Sequence, residues 1–293
     1  MISACEIAKR TAPSNDGEIA FFGGSFTAIE RDYMLKLLKS ACPFVKEGFF
    51  KGIRISTRPD CIDDEVCVIL KEYGVTSVEL GCQSMCDEVL AKNMRGHTSH
   101  DVENAVNILR KHGFETGLQM MTGLWGSDCE KDIETAKKII ALKPDTVRIY
   151  PTVVLEDTLL EKKYKSGEYK VMSLDETVNL VAELLLMFEE NNIKVIRTGL
   201  HSGGNVEEGY VAGAYHPAFK ELCESRIYLK KITVQLESMP KGDIVIKVPK
   251  GALSQATGQK KTNKTHLENL GFQVRFEEDE TLKKYTVLCR AGK

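Results

Sequence analysis

Six apolar runs in this 293-residue chain each stop at residues able to hold a polar ligand. Residues 18–22 run into Gly23-Gly24-Ser25-Phe26-Thr27, and residues 52–58 end in Ser56-Thr57-Arg58 before Pro59-Asp60. Residues 77–82 carry Glu79 and lead into Gln83 and Ser84; residues 115–121 hold Gln119 and Met121 and stop at Gly123. Residues 146–152 supply Arg148 and Tyr150, and residues 195–200 supply Arg197 and Thr198. Taken singly, each group reads as a turn or a helix cap. Taken together on one rim, they suit a large ligand carrying carboxylate, amine and hydroxyl groups. A guanidinium such as Arg58 can grip a carboxylate through two parallel hydrogen bonds. Glu79 can accept from hydroxyls. Two adjacent glycines at a strand end cost backbone entropy, a cost tolerated where the backbone approaches a partner closely.

The rim exists only if the runs are parallel strands. Helical patterns lie between most of them, at residues 32–40, 63–73, 99–112, 129–142 and 174–191. Strand and helix alternating at a spacing of roughly 30 residues means stacked βαβ units. About six such units predict an open or closed (β/α) barrel, with a doubly wound sheet as the alternative. The strands mix apolar and polar residues (VELGCQ, LQMM, VRIYPT), so alternate side chains face opposite sides and the polar ones point into a lumen. That favours the barrel. The fold expected is α/β: a partial (β/α) barrel over residues 1–205 and a small α+β element over 206–293. The latter has short strands at 232–235, 243–248, 273–277 and 284–288 and a helix at 262–270.

Bulk properties exclude several classes. The net charge of -2 gives no global attraction to nucleic acid or anionic membrane. No apolar run reaches the roughly 18 residues of a membrane span. The N-terminus lacks a signal-peptide apolar core, which predicts a cytoplasmic protein. Nine scattered cysteines suggest reduced thiols. Neither a G-x-S-x-G elbow nor a G-x-G-x-x-G turn is present, which ranks hydrolase and dehydrogenase readings last. Residues 230–264 hold eight lysines against two acids. A solvated face is the modestly preferred reading, and a contact with a polyanion such as RNA is the functional one.

FFGGSFT, ISTRPDCID, VELGCQS followed by NMRGHT, GLQMMTGLWG, VRIYPTVVL and AGAYHPAFKEL occur in that order. The set resembles bacterial radical S-adenosylmethionine proteins related to the elongator catalytic subunit, over about residues 17 to 228. The resemblance implies a partial barrel of the radical S-adenosylmethionine type. It also implies roles. Gly23, Gly24 and Ser25 would meet the amino group of the methionyl moiety, and Ser56, Thr57 and Arg58 would lend polar contacts. Glu79 and Gln83 would stand on the ribose side, and the strand bearing Gln119, Met121 and Gly123 near the adenine. Tyr150 joins them from the fifth strand. Arg95-Gly96-His97-Thr98 is a signature of the same family.

The family's chemistry needs a 4Fe–4S cluster, held there by three cysteines in C-x3-C-x2-C. That motif precedes the FFGGSF strand, and only Cys5 lies there in this chain. Cys82 and Cys86 have Val89 where a third cysteine would stand, Cys61 and Cys67 have the wrong spacing, and no histidine pair has ligand spacing. No metal ligand is assigned. The expectation is a family member without its first βα unit, its FFGGSF strand an exposed edge prone to aggregation or covered by a partner. In complete form it would generate a 5′-deoxyadenosyl radical to modify a substrate, with tRNA as the first candidate and a small metabolite second. The alternative is a non-catalytic binder of S-adenosylmethionine or RNA. No residue pattern points to an electron donor.

Overall fold

The computed structural model describes residues 1–11, 14–201 and 205–292. Its elements in chain order are α1 (Ile2–Thr11), β1 (Glu18–Phe21), α2 (Arg31–Lys46), β2 (Gly52–Thr57), α3 (Asp64–Glu72), β3 (Val75–Gln83), α4 (Asp87–Lys92), α5 (Ser99–Lys111), β4 (Glu115–Thr122), α6 (Cys129–Leu142), β5 (Thr146–Pro151) and β6 (Val153–Leu155). There follow α7 (Leu159–Lys165), α8 (Leu174–Glu190), β7 (Lys194–Thr198), α9 (Asn205–Glu208), β8 (Tyr210–Gly213), α10 (Phe219–Leu236), β9 (Gly242–Pro249), α11 (Leu253–Thr257), α12 (Thr262–Asn269), β10 (Phe272–Asp279) and β11 (Leu288–Ala291). The chain forms two compact units: residues 1–150 with 191–197, and residues 151–190 with 198–293. No helix among the described residues is long and apolar enough to cross a membrane.

The first unit is built on a six-stranded sheet in the order β1-β2-β3-β4-β5-β7. The β1–β2, β2–β3 and β3–β4 pairings are parallel. A doubly wound sheet reverses direction at a switch point. Here each strand lies beside its predecessor through β5, so the sheet is an open half-barrel. One face is apolar: Ile53, Ile55, Val78, Leu80, Leu118, Met120, Val147 and Ile149 are all at most 1% exposed. Helices α2, α3, α5 and α6 bury Leu38, Leu70, Leu109 and Ile139. Their starts carry the signals that a helix needs. The Asp63 and Asp128 side chains accept from backbone N–H groups three residues on, and Thr98 and Asp101 form a reciprocal capping box.

The second unit contains a two-stranded β6–β8 antiparallel pair and a three-stranded sheet in the order β10-β9-β11. β9 and β10 are parallel, and β11 runs antiparallel to β9. Two expectations need correcting. Residues 232–235, read as a strand from Ile232, Thr233 and Val234, lie inside α10, where Cys223, Ile227, Ile232 and Leu236 are buried at helical spacing. Residues 284–288 are not a strand along their length. Tyr285 has φ 56, which breaks extension, and β11 begins only at Leu288.

Candidate functional site

The second face of the half-barrel is polar, because strand alternation sends every other side chain there. Glu18 of β1, Arg54 and Ser56 of β2, Ser77 and Glu79 of β3, Glu115 and Gln119 of β4, and Arg148 of β5 meet on it. Arg54 joins three strands: Nε donates to Glu18 Oε2 at 2.8 Å, Nη2 to Glu115 Oε1 at 2.8 Å, and Nη1 reaches Glu79 Oε1 at 3.5 Å. Ser77 Oγ lies 3.0 Å from Glu18 Oε1 and 3.1 Å from Glu115 Oε2 and shares its one proton between them. Arg148 Nη2 donates to Glu79 Oε1 at 2.6 Å, while Nε sits 2.5 Å from Oε2 without hydrogen-bond alignment. Gln119 Nε2 completes the chain, donating to Glu79 Oε2 at 3.0 Å and Ser56 Oγ at 3.2 Å.

Burial alone would strip charge from these groups. Burial pulls down the pKa of Arg54, but its hydrogen bonds to Glu115 and Glu18 outweigh that and raise it. Burial likewise works against Arg148, and bonds to Glu79 and Tyr150 raise it on balance. Glu115 is pushed up by burial and drawn below its ordinary value by Arg54 and Ser77. The network is therefore a charged one.

The residues singled out from sequence divide into four groups. Ser56, Glu79 and Gln119 form the hydrogen-bonded chain just described. Met121 and Tyr150 lie farther along the same face, Met121 Sδ 3.2 Å from Arg95 Nη2 and Tyr150 Oη 3.4 Å from Arg148 Nη1. Gly23, Gly24 and Ser25 follow β1 as a loop. Gly23 has φ +104, while a Cβ built on Gly24 would meet no protein atom within 4 Å.

Of the remaining four, Thr57, Arg58 and Gly123 take other partners. Thr57 turns to the helix side and is 3% exposed. It lies 2.7 Å from Thr27 Oγ1 and so ties down the segment that follows the glycine loop. Arg58 donates to Asp60 at 2.9 and 2.6 Å and to the Gly96 carbonyl at 3.2 Å, so its fork is filled from within the protein. Gln83 adopts a left-handed φ of 65. Gly123 donates its N–H to Asp132 Oδ2 at 2.8 Å.

Sequence reasoning missed Glu18, Arg54, Ser77 and Glu115. Their signal was present: charged or hydroxyl residues at every second position of otherwise apolar strands. It left Arg95 without a role. Arg95 Nε is buried without a hydrogen-bond partner, and burial lowers the guanidinium pKa. His97 is 7% exposed, its Nε2 lies 3.1 Å from the Cys82 carbonyl, and its Nδ1 is also unpartnered.

Model descriptions of known families match along most of the chain. Residues 5–139 match the radical SAM superfamily, and residues 144–229 match the radical SAM C-terminal domain. The chain carries a radical SAM domain. It is 33% identical over 191 residues to a tRNA uridine(34) acetyltransferase of Methanocaldococcus jannaschii, covering 58% of this chain and 35% of that protein. It is 32% identical over 191 residues to human Elongator complex protein 3, with the same 58% and 35% coverage. A Dehalococcoides mccartyi tRNA uridine(34) acetyltransferase is 29% identical over 192 residues, 42% of its length. Among solved structures, the archaeal Methanocaldococcus infernus Elp3 with an N-terminal deletion superposes with TM-score 0.69 and 26% identity, over 78% of this chain and 58% of that one. The chain thus spans well under half the length of these curated relatives.

Two cofactors go with the family, and the residues fit them unequally. For S-adenosylmethionine the fit is good. Gly24 leaves its surroundings open to a close approach, and Arg95 offers a buried donor in need of an acceptor. For a 4Fe–4S cluster the fit fails. No three His, Cys, Asp or Glu side chains gather to hold a metal among the described residues. Burial pushes the Cys67 thiol up to about 11 and the Cys82 thiol up to about 12, which opposes the thiolate form that such clusters require. No step is derived through a cluster.

Proposed function

We propose that the polar face of the half-barrel and its C-terminal rim bind S-adenosylmethionine, in a protein devoted to radical modification of tRNA. The observation that carries the reading is the segregation of the sheet: one apolar face, and one polar face with Ser56, Glu79 and Gln119 in a single hydrogen-bonded chain. In parallel α/β sheets ligands lie at the carboxyl ends of strands. Gly23, Gly24, Ser25, Met121 and Tyr150 stand toward those ends, and Thr57 and Gly123 secure the loops beside them. Arg95 supplies a donor suited to a carboxylate or to ribose hydroxyls. Bound there, S-adenosylmethionine would supply the 5′-deoxyadenosyl group on which the family's chemistry rests, given an electron from a donor outside the described residues. The chain's own residues orient it: the Arg148–Glu79 pair fixes the floor, and the glycine loop admits the methionyl end. Two of the relatives are tRNA uridine(34) acetyltransferases, which supports tRNA as the substrate class.

A second reading, a non-catalytic binder of S-adenosylmethionine or RNA, is favoured by one observation: Cys67 and Cys82 are buried, which holds both thiols in the protonated form.

Equilibrium dialysis with labelled S-adenosylmethionine tests the cofactor site. Saturable binding below about 1 mM is expected, and Gly24→Val should abolish it without lowering thermal stability. Absence of saturable binding, or binding indifferent to Gly24→Val, overturns the site. Anaerobic reconstitution followed by a 5′-deoxyadenosine assay separates the two readings, since only a catalytic protein forms that product.

A further inference from the structure

The C-terminal part of the second unit has a geometry that the radical chemistry does not use. β9 and β10 lie side by side and parallel, from the Phe272–Gly242 pair to the Asp279–Pro249 pair. The chain crosses between them through two short helices, α11 and α12. Those helices are joined by four residues, Gly258-Gln259-Lys260-Lys261. A strand–helix–helix–strand unit with a glycine-led tetrapeptide between its helices is the arrangement by which KH modules clamp about four nucleotides of single-stranded RNA. In such modules the tetrapeptide begins and ends with glycine. Here Lys261 holds the last position.

The backbone explains how a lysine can stand there. Lys260 (φ 52) and Lys261 (φ 63) are both left-handed, the conformation that the second glycine would otherwise serve. Two consecutive non-glycine residues in this region are strained and persist only where the surroundings fix them. The surroundings hold them in place. A Cβ on Gly258 would come within 2.6 Å of Thr262 Oγ1 and 2.8 Å of Asn263 N, so the loop lies tight against the start of α12. Asn263, 5% exposed, bonds through Nδ2 to Ser225 O (3.0 Å), Ser225 Oγ (3.0 Å) and Ala256 O (3.1 Å). Lys261 N donates to Gly258 O at 2.8 Å. The loop is thus preorganised, with both lysine side chains exposed.

Charge and shape agree with the topology. Of the basic residues in this stretch, Lys247, Lys250 and Lys264 pair with Asp279, Glu280 and Glu268. Lys260 and Lys261 form no ion pair among the described residues. Beside the loop runs a groove of about 690 Å³. Leu253, Val274 and Phe276 give it an apolar floor, and Lys261 stands on its rim beside Lys264 and Arg275, which pair with Glu268 and Glu277. Phosphates suit the rim, and unstacked bases suit the floor. A duplex, whose bases are stacked away, would leave the floor unused.

We propose that β9, α11, the Gly258–Lys261 turn, α12 and β10 form a clamp for a short single-stranded RNA. The turn holds phosphates and the groove holds bases. The clamp goes beyond the reading of the half-barrel, because it stands on this unit's geometry whether or not the sheet binds a cofactor.

Fluorescence anisotropy on the full chain tests it, with no S-adenosylmethionine present. The probes are labelled RNA homopolymers of about twelve nucleotides, an RNA duplex of that length and the matching single-stranded DNAs. Single-stranded RNA should bind at least about tenfold more tightly than duplex RNA or DNA. The double variant Lys260→Asp, Lys261→Asp should weaken binding by about tenfold or more. Aspartate tolerates left-handed backbone, so the melting temperature should stay within about 2 °C. Between about 50 and about 200 mM salt, the variant's log–log slope should be shallower by about 1.4, the share of two phosphate contacts. Phe276→Ala should weaken binding without changing that slope. Unchanged affinity in the double variant, duplex or DNA bound as tightly as RNA, or no binding of any homopolymer would each overturn the clamp. Dialysis against S-adenosylmethionine would be untouched by any of these results, so the two sites fail separately.

Discussion

Arg148 of β5 and Glu79 of β3 are locked together across the intervening strand β4, Nη2 to Oε1 at 2.6 Å, with Glu79 only 1% exposed. Glu79 also takes Gln119 Nε2 and approaches Arg54 Nη1. One carboxylate therefore neutralises one guanidinium, contributes to another and orients an amide.

Removing that carboxylate leaves buried charge behind. Breaking a buried pair on one side costs about 3–5 kcal/mol. Glu79→Ala should lose that much stability in urea denaturation. A loss below about 1 kcal/mol would show that the network is surface-like.

The two loop glycines should behave differently. Gly23, at φ +104, has a conformation that a side chain resists, so Gly23→Ala should cost about 1–2 kcal/mol. Gly24 has neither positive φ nor a neighbour within 4 Å, so Gly24→Val should melt like the parent. Differential scanning calorimetry of both variants checks the contrast. Equal losses would mean that the loop's conformation, not open space, explains both residues.

Asp132 should give a distinctive pH dependence. Burial raises its pKa to about 6, against the opposing bonds from Ser127 Oγ (2.5 Å) and Gly123 N–H (2.8 Å). A folded-state pKa above the unfolded value means stability that is fully present below about pH 4 and lost as pH rises through about 6. The stability of the parent relative to Asp132→Asn should fall by about 3 kcal/mol across that window. Chemical denaturation at a series of pH values measures it. A constant difference would place the carboxyl in contact with water.

Asn263 holds the proposed clamp together. Its Nδ2 shares two protons among Ser225 O, Ser225 Oγ and Ala256 O, and Asn263→Ala would leave the two buried carbonyls in need of donors. The cost of stranding buried groups is about 1–3 kcal/mol. The variant should also bind single-stranded RNA less tightly, read by the same anisotropy assay, because the turn before α12 loses its anchor.

Much of this was legible in the sequence, for reasons that vary by element. The βα alternation was clear because apolar runs such as residues 77–82 alternate with helical patterns such as residues 99–112. The polar face was foreseen from residues such as Gln119 in LQMM. Its hub, Arg54, was not, because a single arginine inside GIRIST looks like an interruption until Glu18, Glu79 and Glu115 are seen to converge on it. Residues 232–235 misled because Ile, Thr and Val favour strands locally, whereas burial along α10 decides the matter. The basic stretch at 230–264 was visible as charge. That its free lysines sit on a left-handed turn between two helices is a property of backbone angles, which composition does not encode.

The order of strands in the half-barrel has a bearing on how the protein is made. From β1 to β5, each strand pairs with the one synthesised just before it. A chain leaving the ribosome can zip its sheet as it emerges, each newcomer meeting an edge already set. Only β7 must wait while the residues of β6, α7 and α8 pass, so the last seam to close is the one beside β5.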